Sequence, residues 1–253
     1  MTAPPGARTF DEARYRPVFA RQRDSRILRE IWRSAYGDES TDELEPLSFV
    51  TMTDLRWIAR EARVAPGELL VDLGCGRGGP TLWLARELGV EALGIDVVPE
   101  AVEEATRRRS DFGVEERVAF RVGTFADTGL QTASCSAVTS VDAFWMVLDK
   151  AAAAQEVARV LRPGGRFVMT TWEPEHQDHV ELLEDAGFEV LLAEEPPGWH
   201  EPQLAVYRGI LAREEALRAE LGDEATDVLV AEAREAPAAL ERERRLRVAA
   251  AAG

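Results

Sequence analysis

A glycine-rich turn in the first third of the chain carries the residues whose spacing most clearly indicates chemistry. The run is VDLGCGRGGP, from Val71 to Pro80. An apolar, strand-like segment leads into the glycines, and Pro80 opens a helical pattern. Glycines tolerate positive φ angles and let a ligand approach the backbone, while a helix N-terminus offers unpaired N–H groups. The run therefore predicts a ligand-binding turn between a strand and a helix.

Asp72 narrows the choice of ligand. Gly74, Gly76 and Gly79 satisfy the G-x-G-x-x-G pattern of dinucleotide-binding turns. However, Asp72 ends a buried strand, where a carboxylate is costly unless a cation or good donors meet it. A pyrophosphate would be repelled and the ammonium group of a methionine moiety attracted, so Asp72 favours a zwitterionic, sulfonium-bearing ligand over NAD. The alternative is that Asp72 only holds N–H groups of the loop.

A second carboxylate, Asp96, ends the next predicted strand, 96 − 72 = 24 positions after Asp72. An acidic residue about 20 positions beyond the glycine turn is placed to accept hydrogen bonds from both hydroxyls of a ribose. Any ligand that contains a nucleoside could use this feature, so Asp96 does not distinguish a sulfonium-bearing ligand from NAD. The alternative is that Asp96 caps the helical pattern that begins at Pro99.

Strand and helix patterns alternate regularly from about residue 69 to residue 187, which is typical of a parallel sheet with helices on both faces. Ligands of such folds bind at the carboxyl ends of the strands. LRPGGR, residues 161–166, is predicted to be a sharp turn. The predicted strands are 69–73, 92–98, 118–122, 137–141, 167–172 and 188–193.

The two flanks of this core are predicted to be helical. Helical spacing covers 13–36 and 49–63, with Ser48 as a candidate cap. We assign residues 1–65 to an N-terminal helical lid and residues 66–253 to the core. Within the core, a helical insertion at about 197–243 precedes a last strand at 245–251. The acidic run at 212–244 is interpreted as a solvated helix face without a function.

Composition excludes several classes of protein. The chain has 30 Lys plus Arg against 46 Asp plus Glu, a net charge of −16 that repels nucleic acids and anionic membranes. No apolar run reaches the ~18 residues of a membrane span, and the N-terminus does not look like a signal peptide, so a cytoplasmic protein is expected. Cys75 and Cys135 lack disulfide or zinc spacing, and no metal site is expected.

The sequence resembles the class I S-adenosylmethionine (SAM) dependent methyltransferases, in particular small-molecule enzymes of the ubiquinone/menaquinone and bacterial natural-product type. The resemblance covers about residues 50–195. It implies a Rossmann-like, doubly wound, seven-stranded α/β sheet of order 3-2-1-4-5-7-6 with strand 7 antiparallel, plus a helical lid. The matching segments are VDLGCGRGG at 71–79, GIDVVPEAV at 94–102, RVGTFADTGL at 121–130, SVDAFWMV at 140–147 and RVLRPGGRFVMTTW at 159–172.

The resemblance also implies which residues hold SAM, whose product is S-adenosylhomocysteine. Asp72 would meet the amino group of the methionine portion, Asp96 the ribose and Val97 the adenine. Thr124 stands where the family often has an Asp that reads the adenine amine, a departure that Thr124 Oγ1 or the Phe125 N–H would have to compensate. The remaining cofactor residues, along the methionine portion and beside the sulfonium, are Gly74, Cys75, Gly76, Gly78 and Ser140.

Candidate residues for the acceptor molecule follow the fourth and fifth strands. A base is needed only if the nucleophile must lose a proton, and His176, His179 and Asp142 are the candidates. An apolar, aromatic wall would suit a hydrophobic or aromatic acceptor or a cation–π contact to the sulfonium, with plain core packing as the alternative. The candidate acceptor-binding residues are Tyr36, Phe144, Trp145, Trp172 and His200.

Methyl transfer to a small molecule is the predicted function, with two alternatives. A SAM-binding protein of the same fold that serves regulation or cyclisation would have the same cofactor site. An NAD-dependent oxidoreductase is disfavoured by Asp72 and the LRPGGR turn. A monomer or homodimer is expected, and the abundance of Ala, Arg and Glu is typical of a bacterial source.

Overall fold

Seven strands form one mixed sheet in the computed structural model, which describes residues 18, 21, 25–41, 44 and 48–253. The order is β3-β2-β1-β4-β5-β7-β6. Strand β7 lies antiparallel between β5 and β6, and the other neighbours are parallel. The predicted sheet is thus confirmed. The strands are β1 Leu69–Leu73, β2 Glu91–Asp96, β3 Val118–Val122, β4 Cys135–Val141, β5 Leu161–Pro174, β6 Phe188–Glu194 and β7 Glu243–Ala252.

Helices cover both faces of the sheet and one end of it. The predicted helical run at 202–243 divides into three helices, because Arg213 and Gly222 (φ 83°) interrupt it. Of the helix predicted over 13–36, residues 13–17, 19, 20 and 22–24 lie outside the described residues. The helices are α1 Arg26–Tyr36, α2 Met52–Glu61, α3 Gly79–Leu88, α4 Pro99–Phe112, α5 Lys150–Val160, α6 His179–Asp185, α7 His200–Ala212, α8 Glu214–Leu221 and α9 Asp223–Leu240.

Two local predictions were wrong. Thr51, not Ser48, caps α2: its hydroxyl accepts the N–H of Asp54, whose side chain in turn accepts the N–H of Thr51. The segment 161–166 is not a separate turn but an irregularity inside β5, where Cys135 pairs with Leu161 and Ala137 with Arg166. Residues 162–165 of β5 therefore lie opposite Ser136 alone, and Gly164 among them has a positive φ of 74°.

Four apolar clusters fix these layers, of which the smallest lies between α3 and the strands β2 and β3. One lies between the sheet and α5 and α6, and a second lies between the sheet and α2 and α3. The third joins α1 to α7, α8 and α9 and includes Trp172 of β5. The helices from the two flanks of the sequence therefore pack on each other over the carboxyl ends of the central strands, where the glycine turn lies.

Gly78 offers a test of how closely the glycine turn packs on its neighbours. Its φ is 77°, and an added Cβ would lie 2.7 Å from Phe120 Cζ and 2.9 Å from Ala105 Cβ. Gly164 has a similar φ of 74° with nothing within 4 Å. We expect Gly164→Ala to lower the free energy of unfolding by about 1–2 kcal/mol through backbone strain. Gly78→Ala should cost about 1–3 kcal/mol more through overpacking.

Urea denaturation of the two variants and the parent protein measures this difference. Because both glycines have left-handed φ angles, the comparison isolates the steric contribution. Equal losses for the two variants would show that Phe120 and Ala105 move aside without cost.

Candidate active site

A cavity of about 890 Å³ lies at the carboxyl ends of β1, β2, β4 and β5. One group of lining residues comes from the glycine turn and the ends of β2 and β3, at 72–77, 95–98 and 123–126; we call it the loop end. The other group, the aromatic end, combines rings with residues of α9. It comprises Trp32, Phe49, Trp145, Trp172, Tyr207, Glu232 and Glu235.

Asp72 lies buried in the wall of the loop end. Its two oxygens accept hydrogen bonds from the hydroxyls of Thr81 and Thr139, the latter at 2.9 Å. Burial raises the pKa of Asp72 to about 6, although the two hydroxyls partly offset this effect. The bonds recorded for its carboxylate are thus to threonine hydroxyls rather than loop N–H groups. A nearby ammonium group would supply a positive charge and so stabilise the ionised form of Asp72.

Asp96 holds the glycine turn from the end of β2. One carboxylate oxygen accepts the N–H of Gly76 at 2.7 Å, and the other accepts that of Val98 at 2.9 Å. The contact to Val98 is the one expected from the alternative interpretation, in which Asp96 holds the start of α4. Each carboxylate oxygen can accept a second bond, so Asp96 can fix the turn and also accept from a ligand hydroxyl.

Three of the four glycines of the turn, Gly74, Gly76 and Gly78, differ in their surroundings. An added Cβ at Gly74 would lie 2.4 Å from Ala143 Cβ, whereas one at Gly76 would meet no atom within 4 Å. Both residues line the cavity, as does Cys75. Gly78 does not line it and lies instead against Phe120 and Ala105, so the structure does not place it beside the cofactor as expected. Gly76 therefore leaves open space beside the turn that a ligand can fill.

The other candidate cofactor residues are divided between cavity and core. Val97, Thr124 and Phe125 line the cavity. Thr124 Oγ1 already accepts the N–H of Asp127 at 3.0 Å, which turns the loop after β3 back on itself. Ser140 is fully buried and does not line the cavity, so its expected place beside a sulfonium is not supported.

None of the three histidines lines the cavity, so the structure does not place the candidate bases His176 and His179 or the candidate acceptor contact His200 beside it. His176 is exposed, and His200 starts α7 with its ring against Trp199. His179 is buried, edge-on to Phe144. Burial lowers the pKa of His179 to about 4, and the nearby Lys150 charge adds to this effect. The polar loop after β5 folds away from the cavity.

Asp142 lines the cavity, but its carboxylate is already bound. Arg245 donates to both of its oxygens at 3.0 and 3.4 Å, and the N–H of Phe49 donates at 3.0 Å. Its backbone has a φ of 53°, and its carbonyl accepts the indole N–H of Trp145 at 2.9 Å. These contacts make Asp142 a structural anchor at the end of β4 rather than a base.

A buried charge cluster continues from Asp142 across β7. Arg245 also donates to Asp54 of α2 at 2.8 Å, and Arg247 donates to the other oxygen of Asp54 at 2.7 Å. The guanidinium of Arg245 lies 5.5 Å from the centre of the Trp172 ring. Burial by itself raises the pKa of Asp54, but Arg245 and the other donors outweigh burial and lower it. The cluster therefore stays ionised and joins α2, β4 and β7.

Two of the predicted acceptor residues, Trp145 and Trp172, line the aromatic end, and their rings meet edge to face at 6.1 Å. Phe144 does not line it: it is fully buried among Phe125, Phe167 and His179 and belongs to the core. Tyr36 also lies outside the lining, packed with the helices. In both cases the alternative of ordinary packing is the one observed.

Sequence reasoning missed several residues of the aromatic end. Glu232 and Glu235 line the cavity, so this part of the acidic run is not the solvated helix face that was expected. A three-residue spacing places both on one face of α9.

The sequence did contain a signal for the buried charge cluster. Arg245 and Arg247 alternate with apolar residues in a strand pattern, which places two charges on one face of the sheet.

The strand order, the glycine turn and the two strand-end carboxylates form the Rossmann-like arrangement that the sequence resemblance implied. Residues 71–169 match the protein family described as a methyltransferase domain. This match, over 99 of the 253 residues, bears out the resemblance predicted from the motifs. The predicted cofactor, SAM, agrees with the family, and solved structures with this fold are described in complex with SAM.

Curated relatives match the chain over part of their length. The methyltransferase GfsG of Streptomyces halstedii is 33% identical over 106 residues, 42% of this chain and 38% of that protein. The geranyl diphosphate 2-C-methyltransferase of Streptomyces lasalocidi is 32% identical over 115 residues, 45% and 38% of the two chains. The matched segment therefore spans well under half the length of these relatives.

Among solved structures, the [4+2]-cyclase SpnF superimposes with a TM-score of 0.69 at 21% identity, covering 78% of each chain. At this identity the likeness shows the fold alone.

In the described part of the chain, no helix has the length and apolar character to cross a membrane. The same residues contain no group of three or more His, Cys, Asp or Glu side chains arranged to hold a metal ion.

Asp72 predicts a pH dependence of SAM binding. Because its pKa is raised to about 6 without a ligand, we expect the dissociation constant to rise as pH falls below 6, approaching tenfold per pH unit. Protonated Asp72 cannot pair with the ammonium group. Titration calorimetry between pH 5 and 8 measures the effect.

Asp72→Asn serves as the comparison. It should weaken SAM binding at pH 7.5 and flatten the pH profile, without lowering the unfolding midpoint, because an amide is less costly to bury than a carboxylate. An unchanged affinity in this variant would contradict the pairing.

His179 predicts a loss of stability in acid. The unfolded chain takes up a proton near pH 6.5 and the folded protein only near pH 4, so falling pH favours unfolding across this window. The loss should reach about 3 kcal/mol at pH 4. His179→Phe should remove this part of the pH dependence in urea denaturation between pH 4 and 7. Exposed His176→Asn is the matched control and should follow the parent protein; identical profiles for both variants would refute the assignment.

Proposed function

We propose that the protein is a SAM-dependent methyltransferase that transfers a methyl group by in-line displacement to a small, hydrophobic or aromatic acceptor. One observation carries the proposal: a single cavity joins a carboxylate-marked glycine turn to a wall of aromatic rings. The domain family supports the transfer, and the small-molecule relatives support the size of the acceptor.

The loop end fits SAM by the chemistry of its donor and acceptor groups. When bound, SAM supplies an electrophilic methyl carbon on a positively charged sulfur. Asp72 would hold the amino group, Asp96 the ribose hydroxyls and Val97 one face of the adenine. Gly76 leaves the open space that lets the ligand approach the turn. The Phe125 N–H or the Thr124 side chain would meet the edge of the adenine.

The protein's main contribution to the reaction is alignment. Holding two reactants in the right geometry can contribute about 7–11 kcal/mol to lowering a barrier. Trp145 and Trp172 would orient the acceptor, and Asp142 would act indirectly by fixing Trp145 and the Phe49 segment. His176 and His179 lie outside the cavity and Asp142 is bound to Arg245, so none of these three predicted bases is assigned to proton transfer.

The experiment identifies the cofactor first and then the transfer. Mass spectrometry of the purified protein and calorimetry with SAM establish binding. Labelled-methyl transfer is then tested on a panel of phenols, amines and polyketide-like acceptors. Binding of SAM without product from any acceptor would instead support a recruited role such as cyclisation. Tight binding of NADH without affinity for SAM would refute the proposal.

Asp96→Ala provides the matched variant. We expect SAM binding to weaken by about 1–3 kcal/mol, because ribose contacts are lost and the Gly76 N–H loses its acceptor. Glu91→Ala, at the exposed start of the same strand, is the control and should bind SAM like the parent protein. An unchanged dissociation constant in Asp96→Ala would contradict the placement of the ribose.

A further inference from the structure

The side chain of Arg108, on α4, joins the glycine turn to the N-terminal part of the chain. One nitrogen of its guanidinium donates to the carbonyl of Arg77 at 2.8 Å, and another donates to the carbonyl of Leu44 at 2.9 Å. The side chain is buried, and its guanidinium lies 5.8 Å from the centre of the Phe112 ring. Because a guanidinium is planar and rigid, a single group that bonds two carbonyls fixes their relative position. Arg108 therefore holds Leu44 against the glycine turn.

The backbone of Leu44 lies directly on the start of α3. An added Cβ at Gly79 would lie 2.1 Å from the carbonyl oxygen of Leu44 and 3.0 Å from its carbonyl carbon. Gly79 and Arg77 both line the cavity. Gly76, the residue before Arg77, is held in turn by the carboxylate of Asp96. A ligand that restrains the glycine turn therefore also restrains the backbone on which Leu44 rests.

Hydrogen bonds continue from Leu44 to the aromatic end. The N–H of Leu44 donates to the carbonyl of Thr41 at 2.8 Å, and the buried hydroxyl of Thr41 donates to the carbonyl of Val50 at 3.0 Å. Phe49, the residue before Val50, donates its N–H to Asp142 and lines the cavity. The backbone of Phe49 is thus placed by a network of contacts that begins at the glycine turn.

The Phe49 ring lies at the centre of the aromatic end. Its ring centre is 5.8 Å from that of Trp32, 6.0 Å from that of Trp172 and 5.5 Å from that of Tyr207. Closely packed side chains transmit a displacement of one member to its neighbours. A shift of Phe49 would therefore change the wall against which an acceptor molecule packs.

From these contacts we propose that Arg108 is a positioning residue that couples the two ends of the cavity. A ligand at the glycine turn fixes Phe49 at the aromatic end, and by reciprocity an acceptor bound there strengthens binding at the turn. Arg108, Leu44 and Thr41 do not line the cavity, so this coupling passes behind its wall rather than through the ligands. The proposal deepens the proposed function, on which it rests, by naming how SAM prepares the acceptor end.

Hydrogen exchange of the Phe49 amide, followed by mass spectrometry of the full chain, measures the coupling without an identified acceptor. The probe is S-adenosylhomocysteine, which carries no transferable methyl group. In the parent protein we expect it to slow exchange in peptides that contain Phe49 by at least about fivefold. Arg108→Met keeps an unbranched apolar stem but removes both donors, and it should lose most of this slowing. Direct contact between the ligand and Phe49 would instead leave the slowing intact in this variant and would overturn the proposal.

Arg107→Met is the matched control. Arg107 precedes Arg108 on α4, but its guanidinium bonds carboxylates of the same helix, so this variant should show the full slowing of the parent protein. Arg108→Gln decides the question if Arg108→Met does not fold. Its side chain is polar but too short to bridge the two carbonyls, and we expect it to lose most of the slowing as well. An equal loss in the Arg107 variant, or full slowing in either Arg108 variant, would overturn the assignment.

Calorimetric titration with S-adenosylhomocysteine separates this proposal from the proposed function. Phe49→Ala should weaken binding of the ligand by about fivefold in the parent protein and by much less when combined with Arg108→Met. Equal weakening in both backgrounds would overturn the coupling and leave methyl transfer standing. No binding of the ligand to the parent protein would refute the methyltransferase proposal itself, and with it the coupling.

Discussion

The burial of Arg245 is the constraint on which the architecture of the cavity depends. A guanidinium enclosed in β7 is tolerated only because Asp54 and Asp142 bind it from α2 and from the end of β4. The same two carboxylates accept N–H groups from Thr51 and Phe49. Removing one partner would leave an uncompensated buried charge, so the cluster holds all these elements in one arrangement. The position of the Phe49 ring, and with it the aromatic end, follows from an interaction between segments about 100 to 200 residues apart in sequence.

The loop end depends on two carboxylates whose hydrogen bonding differs. The folded protein by itself disfavours the ionised form of Asp72. Burial raises the pKa of its carboxyl, and two threonine hydroxyls offset this effect only in part. Asp96, in contrast, is well bound by the backbone it organises. One carboxylate therefore shapes the glycine turn and the other is ready for a cation.

The histidines and Phe144 show where sequence reasoning fails. His179 lies in a polar stretch after β5, which suggested a residue at the cavity, but its ring packs on Phe144 inside the core. Phe144 and Trp145 are adjacent and equally aromatic, yet one is fully buried and the other lines the cavity, because the short helical turn at 144–146 points them to opposite sides. Residue type and position after a strand do not define the direction of a side chain in an irregular segment.

The sequence by itself determined the alternation of strands and helices, the strand order through the family resemblance, and the loop end, because glycines and strand-end carboxylates lie close together along the chain. The aromatic end was decided by the tertiary structure. Its rings and carboxylates come from α1, the Phe49 segment, the helical turn at 144–146, β5, α7 and α9, and only the packing of the two flanking helical regions brings them together. Local patterns report on local geometry, whereas these contacts depend on where the long insertion before β7 folds back over the sheet.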